Sequence, residues 1–262
     1  DRLEPIVLQP SAFSDNRSLK NLLMLTAIRT DKAKVTGYIE RLSGYDVDEI
    51  AKIAIDHGLF EEAFQIYSKA GQNTDAMDVL VEHIVSIDRA QHFANKLNLP
   101  EIWSRLGKAQ LDGLRVKDAM ESYVRAEDPS NFEEVIEIAE RAGREEELIR
   151  YLQMARKLTR EPKVDTEYAY CLAKAHRLSD MEEFLSMTNV ADVLHVGEKC
   201  FNDGLYEASR LLFSSVSNYA RLATTLVYLN DFPGAIEAAR KAGNTSVWKQ
   251  MHAACLNKGE FK

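Results

Sequence analysis

The chain has little of what compact chemical sites are built from. Its 262 residues include three cysteines, Cys171, Cys200 and Cys255, which lie far apart without CxxC spacing. That pattern supports neither a disulfide framework nor a zinc site and reads as small core residues of a reduced, cytosolic protein. There is no GxGxxG, no P-loop, no HExxH, no GxSxG and no EF-hand loop, so nucleotide, metalloprotease, hydrolase and calcium chemistry lack their usual carriers. The six histidines, His57, His83, His92, His176, His195 and His252, show no ligand spacing; a lone helical histidine is ordinarily a surface or core residue. No cofactor, metal or catalytic residue is expected. No apolar run reaches the ~18 residues of a membrane span, Leu22 to Ile28 being the longest candidate. Six prolines and twelve glycines, with no Ser- or Pro-rich run, leave no flexible linker. Positive charge is short as well: the formal net charge is −8 and the isoelectric point about 5.4, whereas nucleic-acid binders carry a basic face. The triplets at Asn16 and Asn244 fit a glycosylation pattern short enough to arise by chance.

What is present is a repeat. An apolar position is followed three residues later by a small or apolar one, four further by another, and often by a fourth three after that. Phe60, Ala63, Tyr67 and Ala70 show it most fully. The frame recurs at Ile87, Ala90, Ala94, Leu97; Val116, Ala119, Tyr123, Ala126; Tyr206, Ser209, Phe213, Val216; and Phe232, Ala235, Ala239, Ala242. Weaker copies begin at Lys32, Glu145 and Leu178. The starts at 32, 60, 87, 116, 145, 178, 206 and 232 are 28, 27, 29, 29, 33, 28 and 26 residues apart, the length of one helical hairpin. The spacing places these side chains on one helix face, and small residues there admit a close neighbour. No hairpin buries such a face alone, so the fold class is all-α: an α-solenoid of stacked antiparallel hairpins. With 45% hydrophobic and 28% charged residues the chain has the material for that core. A solenoid presents surfaces rather than pockets, and function is to be sought in shape and contact.

Gly58, Gly143, Gly204, Asn230 and Gly259 each stand two residues before a repeat start or its continuation at Phe261, where a left-handed residue reverses the chain inside a hairpin. Asp128-Pro129-Ser130 closes one helix and supplies a cap for the next near Asn131. Glu145, Glu146 and Glu147 sit at a helix start, where carboxylates complement the dipole. Arg160-Glu161-Pro162 follows the longest interval and is the expected place for a looser connection and a bend. Trp103 and Trp248 are expected to pack between repeats; Trp248 with Lys249 also has the makings of a partner-helix groove. Arg156, Lys157, Arg160 and Lys163 form a basic cluster in an acidic chain. Such a cluster is commonly a solvated helix end, with an acidic partner segment as the second reading. The start at Asp1 and the stop just past Phe261 read as the ends of a segment of a longer solenoid.

Several runs resemble the clathrin heavy-chain family: NLLMLTAI (Asn21 to Ile28), FEEAF (Phe60 to Phe64), VEHIVSIDRA (Val81 to Ala90), GKAQL (Gly107 to Leu111), AEDPS (Ala126 to Ser130), YLQMARK (Tyr151 to Lys157), RLATTLVYL (Arg221 to Leu229) and the WK pair at Trp248. The resemblance runs along essentially the whole chain. It implies the latter part of one clathrin repeat over 1–122, at the distal leg end and knee, and nearly all of the next over 123–262, at the knee and the start of the proximal leg. It further implies a structural, non-enzymatic role in the coat of endocytic and trans-Golgi vesicles, in a trimeric triskelion whose legs interlock, with membrane contact only through adaptors. In the family, light chains bind the proximal leg and an acidic segment reaches basic residues near the knee. Arg156 and Lys157 match the start of that basic run; Leu158 replaces its next basic position, and Arg160 follows. Trp248 and Lys249 match the place where a light-chain helix docks. The alternative reading is a clathrin-repeat tethering or sorting scaffold.

Overall fold

The computed structural model describes residues 4–8 and 16–258, and among them it contains helices, turns and no strand. The hinge at Gly259 and the next repeat start at Phe261 lie outside the described residues. The chain divides into two compact units, 1–126 and 127–262. The first holds α1 (Glu4–Leu8), α2 (Arg17–Thr30), α3 (Val35–Arg41), α4 (Val47–Asp56), α5 (Phe60–Ala70), α6 (Asn73–Asp78), α7 (Ile87–Leu97), α8 (Pro100–Asp112) and α9 (Val116–Ala126). A tight turn at Lys32–Lys34 leads into α3, and a π-helical turn, Val79–His83, extends α6. The second unit holds α10 (Phe132–Ala142), α11 (Glu145–Leu158), α12 (Pro162–Lys174), α13 (Leu178–Ser186), α14 (Val193–Asn202), α15 (Tyr206–Ser215), α16 (Tyr219–Tyr228), α17 (Phe232–Ala242) and α18 (Thr245–Lys258).

Every repeat start from Phe60 to Phe232 is the first residue of a helix, namely α5, α7, α9, α11, α13, α15 and α17. In these helices and in α3, the third and seventh positions after each start are buried, Leu185 alone being half-buried. The tenth position is less consistent. Ala126 is buried, but Ala70 and Val216 are exposed because the helix is ending there. Large seventh positions demand a small residue on the preceding helix: a Cβ at Gly107 would meet the Tyr123 ring at 3.1 Å, and one at Gly197 would meet Phe213 at 2.7 Å. The two helices of each of these hairpins therefore close ring against glycine, an approach that leaves little or no room for a Cβ.

Two details differ from expectation. The longest interval is helix rather than loose loop: α11 has 14 residues against 11 in α5, α7 and α9. Only residues 159–161 connect it to α12, which accepts Pro162 at its first turn, where no amide bond is lost. At the AEDPS run, Asn131 makes no side-chain capping bond. Asp128 instead turns back on Ser130, whose backbone N–H donates to Asp128 Oδ1 at 2.9 Å.

Charged side chains repeat the same register. Arg89 donates to Glu61 at 2.7 Å, Arg105 to Asp78, and Arg115 to Asp88 at 3.2 Å in the first unit. Lys163 reaches Glu133 at 3.5 Å, Lys174 reaches Glu145, and Arg177 reaches Glu146 at 3.6 Å in the second. Each pair joins an acid to a base one repeat later. Most are exposed and individually worth a few tenths of a kcal/mol, but they all favour one stacking register. The glutamates at 145 and 146 thus have a use beyond the helix dipole.

Candidate functional site

The basic cluster sits at the end of α11, where Arg156 and Lys157 fall in the last turn and complement its negative end. The structure separates its members. Arg156 turns inward: its Nε donates to Asp165 Oδ1 at 2.9 Å, and its guanidinium lies 4.7 Å from the Phe184 ring centroid and 5.3 Å from that of Tyr168. The side chains of the pair are 19% and 9% exposed. Asp165 Oδ2 also accepts the Val190 backbone N–H at 2.9 Å. One buried carboxylate therefore ties together α11, α12 and the segment leading into α14. This clasp spans the connection at 159–161, which is why that link is tight.

Lys157 and Arg160 are exposed and carry no ion pair among the described residues. Lys163 is exposed as well and engages Glu133. The surface available to an acidic segment is accordingly Lys157 and Arg160, with Lys163 beside them in sequence and Leu158 half-open between them at 52% exposure. Asp165 gave no signal in the sequence. An aspartate at the fourth position of a helix is ordinarily a solvated first-turn acid, and only the fold places it under Arg156.

The two tryptophans differ. Trp103 is buried, donates from Nε1 to Asn98 Oδ1 at 3.1 Å and is covered by Arg125 at 4.6 Å, so it packs between helices as expected. Trp248 is 42% exposed on α18, next to exposed Lys249. Its side of α18 is turned to solvent while Val247, Met251 and Ala254 take the core face. Trp248 and Lys249 are separated from α11 by the whole of α12–α17, so the five residues compose two surfaces rather than one.

Among the described residues no His, Cys, Asp and Glu group has the arrangement of a metal site, and no helix is long and apolar enough to cross a membrane. Burial pushes the Cys171 and Cys200 thiols up to about 12, so neither is a nucleophile near neutral pH. The clefts are open and shallow. One, about 390 Å³, lies between Asp78, Val81, Glu82, Val85, Arg105 and Asp112, and four of its charged groups are paired as Asp78–Arg105 and Lys108–Asp112.

Comparison with known proteins gives a consistent result. The family model described as "Region in Clathrin and VPS" matches residues 2–118 and again 123–262. A probable clathrin heavy chain of Schizosaccharomyces pombe is 57% identical over 260 residues, the clathrin heavy chain of Drosophila melanogaster 48% and clathrin heavy chain 2 of Homo sapiens 46%. Each alignment covers 99% of this chain and 16% of the relative, so the chain spans about a sixth of the length of the proteins it matches. Stacked hairpins of 26 to 33 residues, matched twice by the repeat model and along nearly their whole length by these relatives, establish that the chain belongs to the clathrin family, on its heavy-chain branch.

Proposed function

We propose that the chain is a structural strut of a vesicle coat: a clathrin heavy-chain leg segment whose stacked repeats carry load and present contact surfaces, without catalysis. The observation that carries this reading is the match to heavy chains along nearly the whole of this chain, borne on glycine–ring contacts within hairpins and ion pairs one repeat apart. Residues 1–122 form the latter part of one clathrin repeat, at the distal leg end and knee, and 123–262 most of the next, at the start of the proximal leg. The coat lies on the cytoplasmic face of coated pits and vesicles, at the plasma membrane and trans-Golgi, and meets the membrane through adaptors. Neighbouring heavy-chain legs and a light chain are the partners, the latter at Lys157 and Arg160, next to Arg156, and at Trp248 and Lys249. Many weak contacts along such a strut sum to a lattice that can still be taken apart.

A segment exchange tests the role. A clathrin heavy chain carrying residues 1–262 in place of its own corresponding segment is expected to trimerise and to sediment as closed cages under assembly conditions. Trimers that form but never close into cages would overturn the strut reading and favour a tethering or sorting scaffold.

A further inference from the structure

Three alternate helices of the second unit place two carboxylates around one ammonium. Glu140 comes from α10, Glu167 from α12 and Lys199 from α14. Lys199 Nζ lies 3.5 Å from Glu140 Oε1 and 3.8 Å from Glu167 Oε2, and 3.6 Å from the centroid of the Tyr170 ring. Glu167 is 17% exposed against 37% for Glu140. Its Oε2 is buried without a hydrogen-bond partner. One cation thus faces two acids, and the more buried acid has an oxygen that its surroundings do not satisfy.

We infer that Glu140, Glu167 and Lys199 form a proton-operated latch that tightens the stacking of α10, α12 and α14 when Glu167 takes up a proton. With both acids ionised, Lys199 is divided between them, and the buried Glu167 oxygen accepts no hydrogen bond, the ammonium standing off at 3.8 Å. A proton on Glu167 turns that oxygen into a donor toward the Glu140 carboxylate beside it and leaves Lys199 to pair with Glu140. Repulsion between two layers becomes a hydrogen bond.

The surroundings support this direction. Burial raises the Glu167 carboxyl above the ordinary range, Glu140 raises it further, and Lys199 and His195 pull it down by less. On its own helix Cys171 is buried and neutral, and Lys174 is held by Glu145 of α11. From α13, Asp180 and Glu183 act on Tyr168, on the neighbouring face. Asp203 of α14 is occupied by the Tyr170 hydroxyl, which donates to it at 2.7 Å. Because the folded-state pKa of this acid lies above its unfolded value, its ionised form costs stability at neutral pH. That cost is relieved as pH falls through the folded value and levels off below the unfolded one.

Hydrogen exchange of the full chain at pH 5 and 7.5, corrected for intrinsic exchange rates, tests the latch. Peptides from α10, α12 and α14 are expected to be roughly three- to tenfold better protected at pH 5, with α4 and α5 as internal controls. Glu167→Gln, nearly isosteric and uncharged, should give the higher protection at both pH values, and Glu140→Gln should shrink the difference. An equal pH response in wild type and Glu167→Gln would overturn the proposal, as would a response removed by His195→Gln. If either Glu variant were poorly folded, the Glu167 carboxyl titration followed by carbon NMR in wild type decides: an unshifted value refutes the latch.

Discussion

Arg156 looks like a surface cation in the sequence and behaves as a core residue in the fold. Removing one member of a buried pair costs about 3–5 kcal/mol because the other is left uncompensated. Replacing Arg156 would strand Asp165 and release Val190, whatever a partner does. Lys157 and Arg160 carry no such burden, so they are the residues with which to examine an acidic partner. The double variant Lys157→Glu, Arg160→Glu should keep its helicity and unfolding midpoint while losing about five- to thirtyfold in affinity for an acidic light-chain peptide at low salt. The loss should diminish as salt shortens the screening length below ~10 Å. Equal affinity for both proteins in a peptide titration would return these residues to a solvated helix end. The difference between Arg156 and its neighbour was not legible in sequence: both are basic residues in the last turn of one helix, and only the arrival of Asp165 and Phe184 distinguishes them.

At the level of the helix, the reversals follow a fixed place in the repeat. Gly58, Val85, Leu114, Gly143, His176, Gly204 and Asn230 all have positive φ, and each stands two residues before a repeat start. The glycines and Asn230 announced four of these turns. Val85, Leu114 and His176 did not, since local preference opposes them and the packing of the flanking helices prevails. The exit turn recurs eleven residues after the start, at Gly71, Asn98, Glu127, Ser217 and Gly243. It is missing at Ser43 and Asn189, and at 156, where α11 continues to Leu158. Val85 is the most strained of the series, β-branched at φ 53° and 70% exposed. Val85→Gly relieves that strain and gives up little burial, though it also frees the unfolded chain. The net expectation is a gain of about 0.5–1 kcal/mol in chemical denaturation, whereas Ile87→Gly, at the start of α7, should lose stability. A loss at both positions would mean that the Val85 side chain contributes packing that its exposure conceals.

For the chain as a whole, what could be read in advance was whatever the repeat dictates, and what could not was whatever departs from it. Helix starts, hairpin count and the buried third and seventh positions follow from periodicity, because each hairpin must present the same face to the next. The Arg156 clasp, the exposure of Trp248 and the Glu140–Glu167–Lys199 cluster each depend on one hairpin's particular neighbours. Stability follows the same division. Ala63 is fully buried in a core cluster of the first unit with Ala51, Ile66 and Ala76, while Ala235, Ala239 and Val247 belong to a cluster of the second. A carboxylate at position 63 would lie between stacked helices with no partner, a cost of several kcal/mol. In a repeat protein that cost falls first on adjoining hairpins rather than on the entire chain. Ala63→Glu is therefore expected to abolish hydrogen-exchange protection in α4, α5 and α6 and to leave α16 and α17 as in wild type. Uniform loss throughout the chain would show one cooperative unit rather than a stack of nearest neighbours, and unchanged protection in α5 would show that the small-residue face does not carry the packing.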